Sequence, residues 1–135
     1  MRHSEQYRIA RRNLRLLMQV AIHAAQEDQE ICGVIVDGDD LLRLVRIRNA
    51  SRRRGRFLIK PSDYRTVVKA ARRLGYDVVG TFHSHPISDA KPGYSDCRAD
   101  APGRLMLVID CIGREARLWR IMRNRRAYPL RFKEV

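Results

Sequence analysis

Gly80-Thr81-Phe82-His83-Ser84-His85-Pro86 is the stretch on which the reading of this chain turns. It holds two of the four histidines, His83 and His85, at the end of a run from Tyr76 to His83 with strand composition. Residues two apart on a strand share a face, so both imidazoles can converge on one ion, and neutral imidazole is a good zinc ligand. Taken alone, the pair equally suits two partly exposed histidines at a strand end. Its company changes the balance. Asp96 lies eleven residues beyond His85, after a loop from Pro86 to Gly93 with two prolines that can turn back on the strand end, and Glu30 stands upstream at the start of an apolar strand. Two histidines and one carboxylate leave one tetrahedral position of zinc open to water, whose pKa the ion lowers towards ~7, and a nearby Glu can take the proton. That is the composition of a hydrolytic site. Asp89 and Asp100 fall in the same region and compete with Asp96 for the third position.

Outward from this stretch the chain alternates helix and strand signals. Leu14, Leu17, Met18, Ala21 and Ala24 recur at steps of three and four, which predicts a helix from about Ser4 to Gln26. Ile31 to Val36 and Leu41 to Ile47 read as strands joined by Asp37-Gly38-Asp39-Asp40, whose Asp-Gly step signals a hairpin. The loose alternation of the second strand suggests cover on both faces. Phe57 to Ile59 is a short strand candidate. Ser62 is placed to cap a second helix that carries Tyr64, Val67, Val68, Ala71 and Leu74 inward and closes at Gly75. A short helix is expected near Ser95, then strands over Leu105 to Asp110 and Ala116 to Met122. Paired strands interrupted by helices predict an α/β fold with a mixed, largely antiparallel central sheet flanked by helices.

The 135 residues fit one domain spanning 1–135, and 44% hydrophobic with 32% charged residues describes a chain with a real core, unlike a disordered tail. No apolar stretch approaches a membrane span, and Arg2, Glu5, Arg8, Arg11 and Arg12 occupy the place of a signal peptide's apolar core, so a cytoplasmic protein with no membrane partner is expected. Cys32, Cys97 and Cys111 are odd in number and form no CxxC pair, which favours reduced thiols.

These residues resemble the JAB/MPN domain metallopeptidases, whose zinc-binding JAMM pattern is a Glu, then HxHP, then a Ser and an Asp eight and eleven residues after the second His. Glu30-Ile31-Cys32-Gly33 resembles the family's Glu-x-Cys-Gly start of its first core strand, Gly80 to Pro86 its metal strand, and Asp96 falls at the family's Asp. The resemblance covers nearly the whole chain. It implies a cytidine-deaminase-like α/β/α sandwich, Zn²⁺ on His83, His85 and Asp96, and Glu30 as general acid/base. It further implies a peptidase or isopeptidase acting at the C-terminal tail of a ubiquitin-like or sulfur-carrier protein, or on a related amide in a phage-tail or defence setting. One position departs from the pattern. Residue 93 is Gly where the family has the Ser that holds the tetrahedral oxyanion, a type of contact worth ~10²–10³ in rate. Ser95, or the backbone amide of Gly93, could supply the donor instead, and Ser95 could equally be a mere helix cap.

Cys32 reads as a small buried residue and not a nucleophile, and Trp119 as packing. Charge is uneven. The net charge is +13, and Leu41 to Ser62 carries seven Arg and one Lys with no acidic residue, while Ala116 to Lys133 carries six Arg and one Lys with none. Each stretch is either a solvated face or a surface for an anionic partner. Neither interleaves stacking aromatics, so a protein or peptide substrate of acidic character is favoured over nucleic acid. The rival functions are an inactive scaffold of the same fold and a nucleic-acid-associated module with a vestigial site. Oligomeric state is open.

Overall fold

Alternation of core residues organises the sheet. The computed structural model describes residues 7–135, apart from the side chain of Ala99. In chain order the elements are β1 (Arg8–Ile9), α1 (Arg11–Ala25), β2 (Cys32–Gly38), β3 (Leu41–Ile47), α2 (Pro61–Arg73), β4 (Asp77–His85), α3 (Tyr94–Ala99), β5 (Leu105–Asp110), β6 (Glu115–Ile121), β7 (Ala127–Leu130) and β8 (Lys133–Glu134). The strands form one mixed sheet in the order β7-β6-β5-β4-β2-β3-β1-β8. β4 and β5 run parallel at its centre, with antiparallel partners β2 and β6 outside them.

Ile35, Phe82, Leu107 and Ile109 point to one face, where Leu14, Leu17 and Ala21 of α1 cover them. Val34, Val36 and Ile47 point to the other, against Tyr64, Val67 and Ala71 of α2. On that second face α3 packs Cys97 over Met106, Val108 and Trp119. The result is the expected α/β/α layering. Burying a side chain such as Phe82, which is fully enclosed, contributes about 1.5–3 kcal/mol. Its ring also explains Gly33, because a Cβ there would stand 2.4 Å from Phe82 and 2.1 Å from the carbonyl oxygen of Val45. No helix among the described residues is long and apolar enough to cross a membrane, and the three thiols are buried and unpaired.

The structure corrects several expected boundaries. The first helix begins at Arg11; Ala10 before it is extended at ψ 115°, and Arg8–Ile9 pair in parallel with both β3 and β8. The expected start at Ser4 lies outside the described residues. Tyr7 and Ile9, two apart and both buried, carry a strand signal that the helix-forming residues around them obscure. The hairpin forms, but Asp37 and Gly38 are paired strand residues and the turn is Asp39-Asp40, both left-handed at φ 55° and 58° as a type I′ turn requires. The Leu42 and Leu44 face of β3 is buried, but the opposite face is buried only at Ile47, since Val45 is 36% exposed, so the expected cover on both faces is partial. Phe57 to Ile59 is not a strand: Leu58 hydrogen-bonds with Ala50 and the Asn49 side chain inside an irregular loop. Ser62 does not cap α2. Lys60 holds that position and Pro61, with no N–H to satisfy, takes the first turn. Gly75 does close the helix, at φ 77°. The closing strands β7 and β8 sit in the Arg-rich tail, and Pro129 is tolerated because β7 is an edge strand.

Candidate metal centre

β4 carries His83 and His85 onto the α2 and α3 face, while Ser84 between them points the other way. The Ser84 hydroxyl accepts a hydrogen bond from the Ile31 amide at 2.9 Å, and the Ser84 amide donates to the Ile31 carbonyl at 3.0 Å. These two bonds fix Glu30, the next residue, at the rim of the histidine pair. Sequence reasoning had no role for Ser84, because its partner is 53 residues away.

Beyond His85 the loop is pinned at three places. His85 Nδ1 donates to the Asp89 carbonyl at 2.7 Å, Trp119 Nε1 donates to the Ala90 carbonyl at 2.9 Å, and the Gly93 amide donates to Asp96 Oδ2 at 2.8 Å. Asp96 then enters on the first turn of α3. His83 Nε2 and His85 Nε2 stand 3.1 Å apart, and Asp96 Oδ2 is 3.1 Å and 3.4 Å from them. Neighbouring ligands of a tetrahedral ion bound at ~2.0–2.1 Å are separated by about 3.3 Å, so the donor set fits such an ion. With its Nδ1 proton committed to Asp89, neutral His85 turns a lone pair inward, the tautomer a metal requires. Among the described residues His83, His85 and Asp96 are the group able to hold a metal.

The rival carboxylates are engaged elsewhere. Asp89 accepts from the Lys91 amide, and Asp100 from Thr81 Oγ1 and the Ala101 amide. Burial works against the charge of Asp96, but in the metal-free protein, with the Nε2 nitrogens protonated, hydrogen bonds from His83, His85 and the Gly93 amide outweigh it and hold its carboxyl well below the usual range. Burial pushes His83 down, whereas for His85 the bonds to Asp96 and Asp89 overcome burial and push it up.

Glu30 is 8% exposed, and desolvation by burial outweighs the opposing pull of His85, with the Asp96 charge adding to it, so its pKa rises from 4.5 to about 7. A carboxylate titrating there can both take and return a proton near neutrality. Burial also pushes the Cys32 thiol up to about 12, which removes it as a nucleophile.

A cleft of about 740 Å³ opens over this centre, lined by Glu30, Phe57, Tyr64, Thr81, Ser95 and Asp96 among others. Ser95 is exposed on its wall. It does not cap α3, because Gly93 occupies the N-cap position. Gly93 has an ordinary φ of −75°, and its amide, already bound to Asp96, is not free for an oxyanion. Phe57 was hidden from sequence reasoning: its ring stacks on the His83 imidazole at 4.6 Å and 19°. An aromatic that ends the polar run Ser51 to Arg56 was its single signal. Trp119 packs in the core as expected, and through Ala90 it also holds the loop that delivers Asp96.

A family model described as prokaryotic homologs of the JAB domain matches residues 15–122. Over 97 residues the chain is 33% identical to a desampylase from Haloferax volcanii, a match spanning 67% of this chain and 69% of that protein. Among solved structures it is similar to a protein from Desulfitobacterium hafniense, with a TM-score of 0.78 at 23% identity over 96% of this chain and 94% of that one. A JAB1/MPN domain protein from Archaeoglobus fulgidus matches with a TM-score of 0.63 at 16% identity, over 96% and 97% of the two chains. At such identities the two structures speak for the fold alone.

Proposed function

Because the chain belongs to the prokaryotic JAB-domain family, we propose that it is a zinc-dependent peptidase or isopeptidase that hydrolyses an amide at the C-terminal tail of a ubiquitin-like protein. The observation that carries this reading is the convergence of His83, His85 and Asp96 at 3.1–3.4 Å beneath a cleft that Glu30 also lines. The 33% identity to a desampylase supports the substrate class.

His83, His85 and Asp96 would hold the ion. Zinc bound there supplies a Lewis acid and lowers the pKa of water towards ~7. Glu30, with a pKa of about 7, accepts a proton from the attacking water and returns it to the leaving amine. Ser95, whose hydroxyl makes no hydrogen bond among the described residues, is the side chain we assign to the carbonyl oxygen as it gains charge. Phe57 and the Ser84 to Ile31 bonds keep His83 and Glu30 in register.

The missing hydroxyl at Gly93 favours a second reading, an inactive scaffold of the same fold. Zinc content measured together with hydrolysis of a panel of ubiquitin-like fusions separates the two. Stoichiometric zinc with cleavage that Glu30→Gln abolishes supports the enzyme. Stoichiometric zinc with no cleavage across the panel supports the scaffold, and a metal-replete protein without zinc overturns the site.

A further inference from the structure

A second cleft, of about 940 Å³, adjoins the first, and Glu30 and Arg56 line both. Six arginines line it, Arg46, Arg48, Arg52, Arg53, Arg54 and Arg56, against three carboxylates, Glu27, Asp28 and Glu30. Among the described residues only Arg54 reaches a carboxylate, that of Asp28 at 3.7 Å. We propose that this arginine-lined cleft is the docking groove for an acidic segment of the protein substrate, beside the amide that Glu30 serves. The inference rests on the amide-hydrolase reading and names the chemistry of its substrate.

The arginines are held in place. Asn49 Nδ2 donates to the carbonyls of Glu30 and Arg56 at 2.9 Å and 3.0 Å, and its Oδ1 accepts from the amides of Ser51 and Leu58 at 2.9 Å and 3.0 Å. The Gly55 amide adds a bond to the Asp28 carbonyl at 3.3 Å. One asparagine thus clamps the Arg52 to Arg54 turn to the backbone of Glu30 itself, so charge in the groove keeps a set distance from the reacting carbonyl. Concave walls of one sign focus the field on an incoming anion, and guanidinium forks match carboxylates in pairs. No aromatic ring lines this cleft, so bases would find no stacking platform, which favours acidic protein over RNA. The other basic stretch, Ala116 to Lys133, lines neither cleft, and its strands β6 and β7 lie beyond β4 and β5 from the β3 arginines.

The test uses the full chain carrying Glu30→Gln, so that no peptide is consumed, and a fluorescein-labelled hexaglutamate peptide followed by anisotropy at low and physiological salt. Reversing Arg48, Arg52 and Arg53 to Glu is expected to weaken binding by about tenfold or more and flatten its salt dependence. The same reversal at Arg123, Arg126 and Arg131, which changes net charge equally, is expected to cost less than about threefold. A milder Arg→Gln triple at the cleft, with an unchanged melting temperature, guards against misfolding and should give an intermediate loss. Equal losses from the two reversals, or none, overturn the groove. Tighter binding of an oligouridine RNA than of the peptide, lost with the cleft reversal, overturns it in favour of nucleic acid. Zinc stoichiometry on the same samples reports on the hydrolase reading separately, because peptide binding needs no metal.

Discussion

The two walls of the metal-site cleft are built in different ways. One is local: β4, its returning loop and α3 bring His83, His85 and Asp96 together within fourteen residues, with His85 held by the Asp89 carbonyl and Asp96 by the Gly93 amide of the same segment. The other is assembled from afar, with Glu30 placed by Ser84 across 53 residues and Phe57 brought over His83 by a loop that Asn49 ties to Glu30. A local wall can be specified by spacing alone, whereas a remote one depends on sheet order. The local wall should therefore govern metal binding and the remote wall proton transfer and access.

The largest effect is expected from the local wall. His85→Ala removes one donor of three and should abolish stoichiometric zinc and all detectable hydrolysis, read by metal analysis of the purified protein. Retained zinc would show that the donors are not the ones the geometry brings together.

Next comes the remote wall. Glu30→Gln should keep zinc and lower turnover by about 10²–10⁴, since it removes the proton acceptor and leaves the donors in place. It carries a second signature in the metal-free protein. The folded pKa of Glu30 is raised to about 7 from 4.5, so folding favours its neutral form. That contribution is fully present below pH ~4.5 and is lost as pH rises through about 7. At pH 8 the Gln variant should therefore melt a few degrees above the wild type, and the difference should vanish by pH 4. A pH-independent difference would remove Glu30 from its desolvated position.

Spacing made the local wall legible. HxHP after a β-rich run and an Asp eleven residues on can be read without a fold, and both survive in the structure. Glu30 was legible less firmly, from its place at the start of an apolar strand and then through resemblance, because nothing else in its own segment distinguishes it from Glu27. Ser84, Asn49 and Trp119 were not legible as positioning residues at all, since each acts on a partner 19 or more residues away. The same logic applies to the elements. Helix α2 follows from periodicity and strand β5 from its apolar composition, but β1, β7 and β8 exist because the sheet offers an edge, and their sequences alone are too short or too basic to announce it.

Ser95 tests the join between the walls, because it stands beside Asp96 on the local side yet faces the cleft that Glu30 lines. Ser95→Ala should lower kcat by about 10²–10³ with zinc retained, and because Gly93 holds the cap position, stability should not change. Unaltered turnover would leave the oxyanion to the metal.

Phe57→Ala should act less strongly, weakening zinc affinity by about tenfold through a looser His83 while the metal-free fold persists. The ring makes a single stack, and Phe57→Tyr should restore the affinity. Competition against a fluorescent chelator reads both, and no change would return Phe57 to simple cover.

The smallest effect is expected at Gly93, and its sign measures how rigid the local wall is. The position has φ −75°, so a side chain costs nothing in backbone strain, and it is the N-cap of α3, where Ser exceeds Gly by a few tenths of a kcal/mol. Against this, a new Cβ would stand 3.3 Å from Asp96 Oδ2, close enough that the carboxylate must yield by a few tenths of an ångström. Asp96 sits on the first turn of a six-residue helix whose neighbours Tyr94 and Ser95 are exposed, which gives it room to move outward. Gly93→Ser should then raise the melting temperature by about 1–2 °C, leave zinc affinity within about threefold, and restore part of the turnover lost in Ser95→Ala by returning a hydroxyl to the loop. A fall in zinc affinity would show instead that Asp96 cannot yield, that the donor cage is set by the absence of a side chain at 93, and that the walls differ in stiffness as well as in origin.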